Sequence, residues 1–197
     1  MKTIKKVIAP VRIDFAGGTT DISLFKDKYG GCVLNAAINR YISGSLLKSD
    51  KRVSLEYHGN IPTNSGLGTS GVMNLVWLAL ISEEKNKIKL AEKVYDLEQS
   101  LGQVGGKQDQ YAGAFGGINF LEFNKDKVKI TKLNLSADLI KELENKLVLV
   151  YTGKPHLTTY SNKIMINNLK RGRNVKNLLR IKQIAYEMKD ALIKGDL

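Results

Sequence analysis

The first third of the chain has the short apolar runs and alternations of β-structure. Residues 5–9 and 11–15 read as strands on either side of Pro10, which cannot donate to a ladder and therefore fits an edge or a bend. Residues 32–38 and 41–48 are apolar stretches joined at Asn39-Arg40, a candidate tight connection. Val53, Leu55 and Tyr57 alternate with Ser54 and Glu56, the period of two of a half-buried strand. From Ser65 the pattern changes. A glycine-rich turn opens an almost wholly apolar segment, residues 72–81, too long for a strand and read as a buried helix. Leu90, Val94, Leu97 and Leu101 then recur at helical spacing, with Gly102 as a C-terminal stop.

After a glycine-rich link come a short segment at 108–114 and two strands, 118–123 and 128–133, joined by a charged turn. Residues 147–151 predict another strand, and 158–170 and 175–194 predict helices, the last from Leu178, Ile181, Ile184, Ala185, Met188 and Leu192. Strands first and helices interleaved later argue for an α+β fold rather than a doubly wound parallel sheet.

Composition narrows the function classes. The chain has 197 residues, 43% apolar and 25% charged, enough to bury a core. Its longest apolar run is too short to span a bilayer, and no apolar stretch follows the basic N-terminus as in a secretory signal. One cysteine, Cys32, allows no internal disulfide and fits a reducing compartment, so a cytoplasmic location is expected. His58 and His156 lack metal-ligand spacing. The formal charge of +12 admits nucleic acid as a partner, but no zinc finger, aromatic RNA-binding motif or P-loop accompanies the scattered lysines.

The most informative stretch is Pro62-Thr63-Asn64-Ser65-Gly66-Leu67-Gly68-Thr69-Ser70-Gly71. Its glycines allow a tight turn and close approach to a ligand. The helix that follows offers unpaired N–H groups and a positive dipole end, which suit phosphate. Thr69 and Ser70 add hydroxyls that can cap the helix or meet a metal ion. A capped helix after a flexible loop explains the turn alone equally well. Likewise Arg12 alone reads as a strand residue in a salt bridge, and Asp21 alone as a helix N-cap. Glu98 sits beside an apolar helical stripe, where a carboxylate needs a partner, a metal ion or a proton. Asp109 follows Gly102-x-x-Gly105-Gly106-Lys107 in a run of small and polar residues.

Together these segments resemble the galactokinase–homoserine kinase–mevalonate kinase–phosphomevalonate kinase (GHMP) family. The turn is similar to the family's second signature, Pro-x-x-x-Gly-Leu-Gly-Ser-Ser-Ala, with Thr69 for the first serine and Gly71 for alanine. Ala9-Pro10-Val11-Arg12-Ile13-Asp14-Phe15-Ala16-Gly17-Gly18-Thr19-Thr20-Asp21 resembles the first signature without a gap. The galactokinase Glu-His pair is Gly18-Thr19 here, and Ala-Gly-Gly-x-Thr-Asp looks more like the bacterial heptose-phosphate kinases, as does Gly-Lys-Gln-Asp-Gln-Tyr at 106–111.

The resemblance implies a ribosomal protein S5 domain 2-like fold and ATP-dependent phosphorylation of a sugar or sugar phosphate, at the anomeric hydroxyl. It assigns Asp109 and Arg12 to catalysis, and Pro62, Ser65, Gly66, Leu67, Gly68, Thr69 and Ser70 to ATP. Gly18, Thr20 and Asp21 fall to the sugar, and Ser70 and Glu98 to Mg²⁺, which takes oxygen ligands and keeps waters. The family's third, Gly-rich signature does not occur in the 197 residues. The expectation is an N-terminal domain at 1–145 and the start of an incomplete C-terminal domain at 146–197, with the missing C-terminal half a possible partner. A non-catalytic nucleotide- or sugar-binding protein is the alternative from another class, and a basic nucleic-acid binder a third. A membrane partner is not expected.

Overall fold

A computed structural model describes residues 2–62, 64–154 and 158–197; Thr63 and His156 lie outside these. The elements run β1 (Lys2–Ala16), α1 (Ser23–Tyr29), β2 (Gly31–Ser49), β3 (Arg52–Gly59), α2 (Thr69–Ile81), α3 (Lys87–Ser100), α4 (Gln108–Phe115), β4 (Ile118–Asn124), β5 (Lys127–Lys132), α5 (Ala137–Lys146), α6 (Thr158–Lys170) and α7 (Val175–Lys194). The strands form one antiparallel sheet in the order β1-β2-β4-β5, with β3 also paired to β2. This is the α+β class expected from the sequence.

The long strand β2 organises the sheet. Its first half pairs with β4 (Gly31↔Phe123 to Ala36↔Ile118), and its second half pairs with β3 on that same side (Ile42↔Gly59 to Ser49↔Arg52). The expected tight connection at Asn39-Arg40 is therefore absent. Those two residues lie inside β2, between its pairings with β4 and β3, where polar side chains remain solvated. β1 runs along the other side of β2 as an edge strand through Pro10, with a register shift between Pro10 and Arg12, so the proline is accommodated where no further strand needs its N–H.

Alternation along β2 supplies two packed faces. Val33 turns with Leu121 and Phe123 toward Ala91 of α3 and Tyr111 of α4. Cys32 and Leu34 turn the other way, with Phe120, toward Ala185 and Leu192 of α7. Burial on both faces is why residues 31–36 lack a polar alternation. Near the other end of the sheet, Ala9, Val11 and Ile42 pack on Val72, Leu75, Val76 and Leu80 of α2. α2 is not buried all round, since Met73 and Ile81 are exposed.

Three further differences from the sequence reading appear. α1 and α5 were not expected; α1 is too short to show a period, whereas α5 carries overlooked signals, the helical spacing of Leu139, Ile140 and Leu143 and the cap Ser136, whose hydroxyl accepts from Leu139 N. The strand expected at 147–151 does not form. Val148 and Val150 are 84% and 73% exposed, and no strand among the described residues pairs with them. β-propensity without a neighbouring ladder leaves such a segment irregular. Among the described residues no helix is long and apolar enough to cross a membrane.

Candidate functional site

The glycine-rich turn passes directly from loop into α2. Gly68 is the residue before the helix and has the left-handed φ of 71°. A Cβ there would lie 2.8 Å from Asp109 Cγ, so glycine is required by both conformation and space. The turn is tied to β1 by two hydrogen bonds: the Arg12 amide donates to Leu67 O (3.3 Å), and Arg12 Nη1 donates to Gly66 O (2.8 Å). Pairing the first and second signature segments in this way places Arg12 beneath the phosphate-type turn.

Arg12 is the hub of the site and is only 7% exposed. Its Nε donates to Asp109 Oδ1 at 2.8 Å, and Nη2 donates to the same oxygen. On its other edge Nη1 stands 3.3 Å from Asp14 Oδ2. Burial alone would lower the Arg12 pKa, but Asp109 and Asp14 outweigh it and raise it. The salt-bridge reading of Arg12 and the site reading thus coincide in one geometry.

Glu98 reaches the same space from the C-terminal end of α3. It is nearly buried, with Oε1 accepting from Asn74 Nδ2 (2.7 Å) and Oε2 accepting from Gln110 Nε2. Burial raises its pKa, opposed by the Asn74 and Gln110 amides. Two neutral donors leave the carboxylate with acceptor capacity for a cation.

Asp21 is 1% exposed, and its Oδ2 accepts from Gln108 N (3.0 Å) at the first turn of α4. Burial pushes its carboxyl up to about 6, against the lowering effect of the Gln108 amide. A Cβ on Gly106 would fall 1.8 Å from Asp21 Oδ2, so glycine lets the loop close over the acid. The capping function that Asp21 could have alone is therefore present, on α4 rather than on its own helix. Lys107 pairs with Glu92, which also accepts from Tyr111 OH (2.5 Å). This network fastens the start of α4, and with it Asp109, to α3.

These groups surround one cavity of about 450 Å³. Arg12, Asp21, Ser65, Gly66, Gly68, Thr69, Ser70, Glu98 and Asp109 all line it. Pro62 and Leu67 instead line an adjoining cavity of about 200 Å³, with Ile61, Leu149, Val150 and Tyr151, and Ser65 belongs to both. Gly18 and Thr20 are not on either wall. Thr20 is fully buried, with Oγ1 bonded to Gly17 O, Cys32 O and Cys32 N, and it holds the turn after β1 to β2.

Sequence reasoning did not single out Asp14, Gln108, Gln110 or Asn162, which also line the larger cavity. Asn162 reaches it from α6 and donates to Val104 O (2.7 Å), a contact that no local pattern signals. The others sit one or two residues from assigned positions, so proximity to the motifs was the available clue. Asp14 Oδ1, Ser65 Oγ, Thr69 Oγ1, Gln108 Oε1 and Gln110 Oε1 are buried there with no partner. Unpaired buried polar atoms cost roughly 1–3 kcal/mol each, and their concentration around one cavity makes it the candidate ligand site.

Comparison with known proteins supplies the class. The sequence pattern of the GHMP kinases N terminal domain matches residues 30–117. The chain belongs to the GHMP kinase family. Over its whole length it is 30% identical to the D-glycero-alpha-D-manno-heptose 7-phosphate kinase of Campylobacter jejuni, covering 73% of that protein. It is 25% identical, over 98% of its length, to 24% of the bifunctional fucokinase/GDP-fucose pyrophosphorylase of Arabidopsis thaliana. Its fold is similar to the crystal structure of a D-glycero-D-manno-heptose 1-phosphate kinase from Bacteriodes thetaiotaomicron, with a TM-score of 0.76, 26% identity, and coverage of 97% of this chain and 74% of that one.

Proposed function

We propose that the protein is a sugar kinase that transfers the terminal phosphoryl group of ATP to a hydroxyl of a sugar or sugar phosphate, with the anomeric hydroxyl as acceptor. The observation that carries this reading is the convergence of the Gly66–Ser70 turn, Arg12, Glu98 and Asp109 on one cavity. Similarity to heptose-phosphate kinases and a fucokinase supports the substrate class.

The triphosphate lies over the turn, where the free N–H groups at the start of α2 face it, and the base enters the adjoining cavity that shares Ser65, where Ile61, Pro62 and Leu67 offer apolar surface and Asn60 and Arg40 polar groups. Glu98 and the Ser70 hydroxyl would hold Mg²⁺, which fits an all-oxygen donor set beside the unpartnered Thr69 hydroxyl. When bound, the cation supplies charge neutralisation to the phosphate oxygens. Asp109 takes the proton of the acceptor hydroxyl as that oxygen attacks the terminal phosphorus in line. The bond from that phosphorus to the bridging oxygen breaks, and ADP leaves. Arg12 fixes Asp109 through two donors on one oxygen, so the other oxygen is aimed at the acceptor. Asp21 acts on the sugar side of the cavity and keeps the 105–108 loop in place. Residues 1–145 would form the ATP- and sugar-binding domain, with 146–197 beginning a second.

The test is ATP consumption with Mg²⁺ and D-glycero-D-manno-heptose 7-phosphate or fucose, each of which has a free anomeric hydroxyl. Phosphorylated product is expected with at least one, and Asp109→Asn should lower turnover by roughly 10² or more. Equal turnover in the variant would remove Asp109 from the chemistry.

A further inference from the structure

Asp14 is the one carboxylate of the cavity to which the mechanism above gives no task. It lies on β1 two residues beyond Arg12 and meets the guanidinium on the edge opposite to Asp109. Its Oδ2 is 3.3 Å from Arg12 Nη1, while its Oδ1 is buried and has no hydrogen-bond partner. The surroundings repeat the pattern. In the sheet register Asp14 faces Asn35, and Asn35 faces Asn119. Asn35 is fully buried with both amide atoms unpartnered, and Asn119 Oδ1 is also unpartnered. A polar row thus crosses three strands, with its open end at the cavity wall.

A row of this kind is costly in a sheet whose neighbouring positions are apolar. Gln110 gives an independent sign of a ligand, being 2% exposed, on the cavity wall, and with Oε1 unpartnered. At the cavity end, the unpartnered Asp14 Oδ1 and Gln110 Oε1 are both acceptors on the wall, and both are satisfied if a bound molecule brings hydrogen-bond donors.

We propose that Asp14 is a specificity-determining residue that accepts a hydrogen bond from a second hydroxyl of the acceptor, while Asp109 engages the reacting one. This rests on the phosphotransfer reading above. Because Arg12 stands between the two acids, it fixes their separation and hence which pair of hydroxyls can be engaged together. The acceptor presents a neutral polyol edge here, since a phosphate or carboxylate would meet Asp14 and Asp21 at close range. Any anionic group on the acceptor points to the far side of the cavity. Burial, with the further influence of Asp109 and Asp21, pushes the Asp14 carboxyl up to about 7 despite Arg12, which suits a group that trades hydrogen bonds with hydroxyls.

The test is steady-state kinetics of the full chain with heptose 7-phosphate and fucose as acceptors, in wild type, Asp14→Asn and Asp14→Ser. Asp14→Ser, which withdraws the acceptor oxygen, should raise the acceptor KM roughly tenfold or more, and Asp14→Asn, which keeps a neutral acceptor oxygen, should raise it by less, with the ATP KM little changed in both. Thermal melting identifies any variant that fails to fold, and the asparagine variant keeps the shape of the side chain. An unchanged acceptor KM, or an ATP KM that rises in step, makes Asp14 a structural partner of Arg12 and overturns the proposal. A wild-type chain that neither turns over nor is stabilised by either acceptor removes the phosphotransfer reading first, and the assignment of Asp14 with it.

Discussion

Arg12 can hold Asp109 only because the backbone of β1 and the glycine turn already meet beneath it. Its three donor nitrogens are divided among Asp109, Asp14 and Gly66 O. Lysine offers one point charge and cannot reproduce that fork. The buried acids around it also give the protein a pH signature. Asp14 and Asp21 are held at about 7 and about 6, above the ordinary carboxylate value near 3.8. A folded pKa above the unfolded one means that this contribution to stability is complete below about pH 4 and is lost as pH rises through 6 to 7. Denaturant unfolding across pH 4–8 should therefore show Asp14→Asn gaining on wild type as pH rises. A constant difference between the two proteins would contradict the burial account. Of these residues the sequence motifs made Arg12, Asp21, Glu98 and Asp109 legible by their order. Asp14 carried no signal of its own, because a strand acid two residues from an arginine is ordinary until its unpartnered oxygen is seen.

Among the elements, α3 and α4 do most to place the carboxylates. α3 starts at Asn86, whose Oδ1 accepts from Ile88 N (3.0 Å) and Lys89 N (3.1 Å), and it delivers Glu98 near its other end. Asn86→Ala should lower stability by about 1 kcal/mol, read by chemical denaturation. The acceptor site is remote from this cap, so the KM values of the folded enzyme should not move. α4 is fastened by Asp21 and by the Glu92–Lys107–Tyr111 network. The sequence marked 108–114 only as a short segment of small and polar residues, and the network joins residues 15 and 19 positions apart and depends on how two helices pack. The sequence misreads at this scale share a cause. Asn39-Arg40 resembles a turn but lies within β2 where its neighbour on one side changes, and 147–151 resembles a strand but has no ladder to join. Local pattern records propensity, whereas the presence of a partner strand is decided elsewhere in the chain.

At the scale of the whole molecule, the sheet, the three helices α2 to α4 and the turn after β1 combine to build one polar cavity beside a smaller one of mixed lining. The α+β class was legible because strand and helix periods segregate along the chain, and convergence of the motifs followed from their family resemblance. The share of the cavity wall supplied by α6 was not, since Asn162 lies 58 residues from its partner at 104. The charge of +12 bears on a competing function. A nucleic-acid binder would show binding that falls steeply with salt and no response to Mg-ATP. The kinase reading expects the reverse, with stabilisation of about 2.7 kcal/mol when nucleotide is present at a hundred times its Kd.

The most direct measurement is a calorimetric titration with a non-hydrolysable ATP analogue, with and without Mg²⁺, on wild type and Glu98→Gln. Wild type should bind the analogue markedly more tightly with Mg²⁺ present, and Glu98→Gln should lose most of that gain while staying folded. Absence of binding, or a magnesium gain that is the same in both proteins, would contradict the account of a single nucleotide–cation site.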